Sequence, residues 1–422
     1  RRPPRMLLLL ALLSPASAEA DAGDLCGGFS IWIHDLPKPS RFFQAYQESS
    51  SRVEWDVASP LDSDLHAPEF QEPPQHEVPP KVPAIAGLPC DEIVEKTWYQ
   101  YTFCAAVSHL GMGPALEVPA WESLEGLPFY DTYSFSLDWL LLRYARNLCH
   151  ADREEEADLF LVSLPLPLIQ KAAAEHRFDT DELTSYMAGV KHFLHSSAAW
   201  RRHEGRDHVL IVSKTTNDYK DGHQVASRQT QFHNGDPFWA KTTFLSIEGP
   251  YHARLVNVPY PTFFHPRSDA DVERWLDFVA NTPRNGRVVL SVGERRQRRP
   301  LINACKSAED VCDYEPLLRP LGAPVDDGDA ATEDPEARLA RLKEQAATYT
   351  EQYASTISMY TKYTFAMQPG GDTPTRRGFF DTLICGGIPV IFGPLHSRVA
   401  GGFVERYYHP SYARFFGYDV QN

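Results

Sequence analysis

Residues 362–394 read KYTFAMQPGGDTPTRRGFFDTLICGGIPVIFGP, and their punctuation predicts strand, glycine loop, helix and strand in turn. Residues 363–367 and 388–392 are short apolar, β-rich runs one helix's length apart, which is the spacing of a βαβ unit. Between them Gly370 and Gly371 permit a tight turn, Thr373 is a good N-cap, and Pro374 suits the first helical position, where a missing N–H costs nothing. The helix so predicted buries Phe379, Phe380, Leu383 and Ile384. It stops at Gly386-Gly387, where a left-handed residue is favourable.

Arg376 and Arg377 fall in the first turn of that predicted helix. A helix start favours negative side chains, so two arginines there oppose the dipole and call for an anion. Free N–H groups, the hydroxyls of Thr373 and Thr375, and two guanidinium forks together make a site for phosphate or diphosphate. The competing account is local pairing, Arg377 with Asp381 one turn on or Arg376 with Asp372. No lysine follows the glycines in a G-K-[ST] pattern, which excludes a P-loop nucleotidase.

The chain has 422 residues, 43% hydrophobic and 12% aromatic, enough to bury two cores of ordinary size. Its formal charge of -15 excludes a nucleic-acid or anionic-membrane surface as the main partner. Residues 1–18, RRPPR followed by an apolar run and an A-x-A-like end, match a secretory signal peptide or a signal anchor. A spanning helix needs about 20 apolar residues, more than this run supplies. The seven cysteines form no C-x-x-C pair, which argues against zinc. Cys305 and Cys312 are close enough for a local bridge, and Cys385 reads as a buried thiol.

Further along, residues 29–33 read as a first strand, 157–164 and 207–213 as later ones, and 287–292 as a strong strand closed by Gly293 and the basic run 294–299. Phe135, Trp139 and Leu142 recur at helical spacing behind an Asp131 or Thr132 cap. Ser268 with Asp271 resembles a capping box, opening a helix faced by Val272, Trp275, Leu276 and Val279. Residues 335–360 read as a long polar helix. The pattern is α/β: two Rossmann-like domains facing across a cleft, an N-terminal one over 27–262 with a Pro-rich insertion at 59–89, and a C-terminal one over 268–422. So little follows residue 392 that a C-terminal truncation of the second domain is expected.

Five motifs in this order carry a resemblance: Ile33-His-Asp-Leu-Pro37, Glu155-Glu-Ala-Asp-Leu-Phe160, Gly205-Arg-Asp-His208, the run 258–266, and above all Gln368-Pro-Gly-Gly-Asp-Thr-Pro-Thr-Arg-Arg377 with Phe380-Asp381 and Gly387-Ile-Pro-Val390. The chain resembles an exostosin-like glycosyltransferase and is most similar to the plant xyloglucan galactosyltransferase branch. The resemblance implies an inverting transferase of GT-B type. A UDP-linked or related nucleotide sugar would be held by the C-terminal domain, and a glycan or glycoprotein acceptor by the N-terminal one. It implies residence in the Golgi lumen or at the Golgi membrane, and galactose or a similar sugar as the group moved.

The donor-binding candidates are Gly370, Gly371, Asp372, Thr373, Thr375, Arg376, Arg377 and Asp381, with Gly293, Arg295 and Arg299 from the second basic loop. Arginines and amides aimed at a departing diphosphate lower the barrier to transfer. Asp35 and Asp218 lead as the base for the acceptor hydroxyl because each follows a predicted strand of the first domain; His34 and His265 are further candidates. The D-x-D triplets at Asp62, Asp179, Asp269 and Asp327 lie away from the phosphate signature, so no obligatory metal or other cofactor is expected. The alternative is a non-catalytic sugar-nucleotide-binding partner of an active transferase.

Overall fold

Five parallel strands in sequential order form the first sheet: β1 (Ile31–Ile33), β2 (Leu159–Ser163), β3 (His208–Thr215), β4 (Thr243–Glu248) and β5 (Leu255–Asn257). Four more form a second sheet in the order β7 (Cys312–Pro316), β6 (Asn285–Val292), β8 (Tyr363–Met367), β9 (Ile388–Val390), again all parallel. A computed structural model describes Cys26, 28–36, Met112, Leu116, Leu124, 126–164, 180–215, 237–248, 254–317, 353–370 and 376–392. Described residues among 26–36 and 135–259 form one compact unit, and those among 112–134 and 260–392 a second.

In the first unit, Phe160, Leu161 and Val162 are consecutive and buried, the signature of a parallel strand covered on both faces. Helices α1 (Leu137–Leu148), α2 (Thr180–Ser196) and α3 (Ala198–His203) accompany the strands. Met187, Val190 and Leu194 of α2 and Trp200 of α3 pack with Val162, Leu164, Leu210, Val212 and Phe244 of the sheet. The Ser197 hydroxyl caps α3 by accepting from the Trp200 amide at 3.1 Å. Gly205 follows at φ 80°, where a Cβ would lie 2.7 Å from the Trp200 ring. A disulfide joins Cys26 to Cys149 across 123 residues.

Helices α4 (Asp269–Asn281), α5 (Arg299–Ser307), α6 (353–362) and α7 (Arg377–Ile384) belong to the second unit. Trp275 is the largest fully buried side chain of its core, packing with Phe129, Phe263, Val289 and Ile357, and its indole N–H donates to Ile384 O at 3.0 Å. Helix α7 ends as read from the sequence: Gly386 takes φ 72°, its amide donates to Leu383 O, and the Gly387 amide reaches Thr382 O. This is the Schellman arrangement. The expected bridge Cys305–Cys312 is formed, and Cys385 is buried and free.

Several local expectations are corrected. Helix α1 starts at Leu137 with Ser136 before it, so neither Asp131 nor Thr132 caps it; both are engaged elsewhere in the second unit. Helix α7 is described from Arg377, with Arg376 in extended backbone (φ -147°, ψ 146°) at its N-cap position, and the expected cap Thr373 lies outside the described residues. Leu383 and Leu276, expected on buried faces, are exposed, because Asp381 and Thr382 turn inward on α7 and Trp275, Phe278 and Val279 form the core-facing side of α4. Ser268 caps α4, yet the Asp271 carboxylate returns to the Arg267 amide rather than completing a capping box. Strands β4, β5 and β7 were not anticipated, and Arg299 opens a helix where a loop was read. The leader, the 59–89 insertion, the polar helix before 353 and the tail after 392 lie outside the described residues.

Candidate functional site

The order β7-β6-β8-β9 contains one reversal. From β6 the chain moves outward to β7, then returns to β8 on the other side. The loops leaving β6 and β8 therefore diverge, and their carboxyl ends flank the position where an open parallel sheet receives its ligand. Gly293 follows β6, and Gln368, Pro369 and Gly370 follow β8.

Arg298 ties those two loops together. It is buried, donates through Nε to Gly370 O at 2.9 Å and through Nη1 to Gly293 O at 3.3 Å. A single planar guanidinium reaching two carbonyls holds both loops in register. The neighbours Arg295 and Arg299, which the sequence favoured, are exposed.

Arg376 and Arg377 have separate roles. Arg377 forms an ion pair with Asp381 (Nε to Oδ2, 3.3 Å), donates through Nη1 to Thr132 O, and lies 4.5 Å over the Tyr353 ring. Tyr353 in turn donates to Asp381 Oδ2 at 3.0 Å. Burial pushes the Asp381 carboxyl above its usual range and the Arg377 charge opposes that rise. Asp131 is raised by burial and opposed by Arg377 in the same way. The local pairing of Arg377 with Asp381 is thus realised.

Arg376 instead directs its guanidinium toward β6, where Nη2 donates to Ser291 O at 3.3 Å while Nη1 is buried without a hydrogen-bond partner. Ser291 Oγ, on the strand it reaches, is likewise buried and unpaired. A cation with an unsatisfied donor at a sheet's switch point is suited to an anion.

In the first unit, His34 follows β1 and is buried. Its Nε2 lies 3.0 Å from Nε2 of His208, whose Nδ1 is 2.9 Å from Asp207 Oδ1. Phe160 stacks on both imidazoles, Phe193 meets His34 edge-on, and Arg202 donates to Asp207 Oδ2. Burial, and next the neighbouring His208, lower the His34 pKa to about 4. Burial alone would raise the Asp207 carboxyl, but the His208 hydrogen bond and charge, with Arg202, outweigh it and hold it below its usual range. His34 is therefore buried and neutral at ordinary pH, in contact with His208. His265 is similarly engaged, 2.7 Å from Thr132 Oγ1.

The chain matches the Exostosin GT47 domain over residues 25–412. It belongs to the exostosin GT47 family. Among curated relatives, a probable xyloglucan galactosyltransferase of Arabidopsis thaliana (GT20) is 26% identical over 80% of this chain and 54% of its own length. The xyloglucan-specific galacturonosyltransferase 1 of the same plant is 25% identical over 64% of this chain and 37% of its length, and the xyloglucan galactosyltransferase MUR3 is 26% identical over 46% and 28%. The chain thus spans about half or less of the length of these relatives. No solved structure matches it.

Of the donor-binding candidates in this exostosin chain, Gly293, Gly370 and Arg376 come together at the strand ends, while Arg377 and Asp381 lie behind them as a buried pair. Gly371, Asp372, Thr373, Thr375 and Asp218 lie outside the described residues. Asp35 is exposed directly after β1. The sequence reading missed Arg298, because no local signal in the basic run 294–299 singles it out from Arg295 and Arg299. Among the described residues, no group of three or more His, Cys, Asp or Glu is placed to hold a metal ion.

Proposed function

We propose that this chain is an inverting glycosyltransferase that moves galactose or a similar sugar from a nucleoside diphosphate sugar, UDP-linked, to a glycan or glycoprotein acceptor. The observation that carries it is Arg376, whose buried Nη1 has no hydrogen-bond partner among the described residues and which lies where the described strand order of the second sheet reverses. The departing diphosphate is the anion that such a donor stabilises as charge builds on the breaking C1–O bond. Gly371, Asp372, Thr373 and Thr375 of the same motif are the further donor-binding candidates. No metal is required in this reading, because arginine supplies the positive charge.

The second unit carries the donor and the first the acceptor, a GT-B division of labour. The acceptor hydroxyl attacks the anomeric carbon as its proton passes to a carboxylate, and Asp35 is the exposed carboxylate at a strand end of the first unit. Asp218 is the second candidate. The N-terminal leader supports residence in the Golgi lumen or membrane. Among the described residues, no helix is long and apolar enough to cross a membrane.

The test is turnover and donor hydrolysis with a panel of nucleotide sugars, on wild type and Arg376→Ala. Loss of one anion-stabilising donor is expected to lower turnover about 10²- to 10³-fold with the thermal midpoint retained. Undiminished turnover would remove Arg376 from the site; tight donor binding with no turnover for any acceptor would favour the non-catalytic partner.

A further inference from the structure

Among the described residues, helix α7 has neither a side-chain cap nor an acidic first turn. What holds it lies beneath it. Gln368, the first residue past β8, is buried to 1% exposure, and its backbone amide donates to Val390 O of β9 at 2.8 Å. Its side-chain Nε2 donates to Thr382 Oγ1 at 3.0 Å and to the Tyr360 hydroxyl at 3.3 Å, and Thr382 Oγ1 donates on to Gly378 O at 2.6 Å.

The contact with Gly378 is close. A Cβ there would stand 2.7 Å from Gln368 Oε1 and 3.0 Å from the Tyr360 hydroxyl, so the second residue of α7 rests on the glutamine amide with no room for a side chain. Gln368 Oε1 has no hydrogen-bond partner and is buried, an arrangement that costs free energy and is retained here against the backbone of the turn that Arg376 opens. Tyr360, the other partner, also feels the Arg376 charge, which opposes the rise that burial imposes on its phenol. One amide thus connects β8, α6, the middle of α7 and its first turn.

We infer that Gln368 is a positioning residue for the diphosphate site: by seating Gly378 and Thr382 it sets the height and direction of the first turn of α7, and with them the Arg376 guanidinium. The inference rests on the donor reading above and extends it to a residue that touches no ligand. A Cβ at position 378 would require the glutamine amide or the turn to shift.

The experiment is binding of UDP and GDP by calorimetry to the full chain, for wild type, Gln368→Met, Gly378→Ala, Gln368→Ala, the Gln368→Ala/Gly378→Ala pair, and Arg376→Ala. Thermal midpoints are followed alongside. Gln368→Met and Gly378→Ala are each expected to weaken the tighter nucleotide by about tenfold or more while remaining folded, since displacement of a positioned group by about 1 Å is costly. In the Gln368→Ala background, where the amide no longer fills the space, Gly378→Ala should add little to the loss of affinity; non-additivity in nucleotide affinity with thermal midpoints retained is what a merely structural role would not produce. Folded Gln368→Met and Gly378→Ala proteins with wild-type affinity, or additive losses in the pair, overturn the proposal while Arg376→Ala still binds weakly. Wild-type affinity in Arg376→Ala overturns the donor reading itself, and the role of Gln368 falls with it.

Discussion

At the residue scale, two adjacent arginines of identical chemistry are divided by their neighbours. Arg377 has Asp381, Tyr353 and the Thr132 carbonyl around it, so its removal leaves a carboxylate buried without its counter-charge. Arg377→Ala is expected to destabilise the second unit by about 3 kcal/mol or more in denaturant titration, whereas Arg377→Met with Asp381→Leu loses much less. Arg376→Ala is expected to do the reverse, changing donor turnover and leaving the titration midpoint alone. A second residue-scale outcome concerns His34. Folded His34 takes up a proton only near pH 4, whereas in the unfolded chain it does so near 6.5, so between these values the unfolded state binds more protons. The contribution is complete above about pH 6.5 and is lost as pH falls toward 4, a difference of about 3 kcal/mol. Asp207, held low, adds a loss in the same direction at still lower pH. Unfolding midpoints measured across that window should decline in wild type and flatten in His34→Asn; parallel curves would refute the assignment.

At the element scale, local chemistry accounts for what the chain discloses by itself. Strands β6, β8 and β9 and helix α7 were legible because apolar runs, turn glycines and a terminating Gly-Gly pair agree over residues 285–292 and 363–390. Strands β5 and β7 were not: β5 has three residues and β7, CDYEP, carries two acidic side chains and a proline, with only its first residue fully buried. The start of α7 was misplaced because Thr373-Pro374 is a good local cap, yet the extended Arg376 is fixed by Ser291 O, 85 residues away. Arg298 was passed over for Arg295 and Arg299 because in sequence the basic run offers no way to tell which member turns inward. At the other end of α7, Gly386→Ala would set a Cβ 2.4 Å from Val279 Cγ1 at φ 72°. It is expected to cost about 1 kcal/mol or more in a chemical melt, and a neutral result would show that the turn relaxes readily.

At the scale of the whole molecule, the two disulfides among the described residues differ in what they restrain. Cys26–Cys149 closes a span of 123 residues in the first unit, Cys305–Cys312 one of only 7 in the second. On loop-closure entropy the long ring contributes about 4–5 kcal/mol and the short one appreciably less. Cys26→Ser/Cys149→Ser should therefore lower the thermal midpoint more than Cys305→Ser/Cys312→Ser, and the opposite ranking in scanning calorimetry would show that strain or residual structure dominates.

Arg298 reaches forward 72 residues to Gly370, Arg376 reaches back 85 to Ser291, and Arg377 reaches back 245 to Thr132. None of these ties can close while the chain is still emerging and residue 370 has not been made. During vectorial synthesis the described strands of the first sheet are made long before then, so in the proposed donor reading affinity for a nucleotide sugar arrives only once the second sheet has assembled.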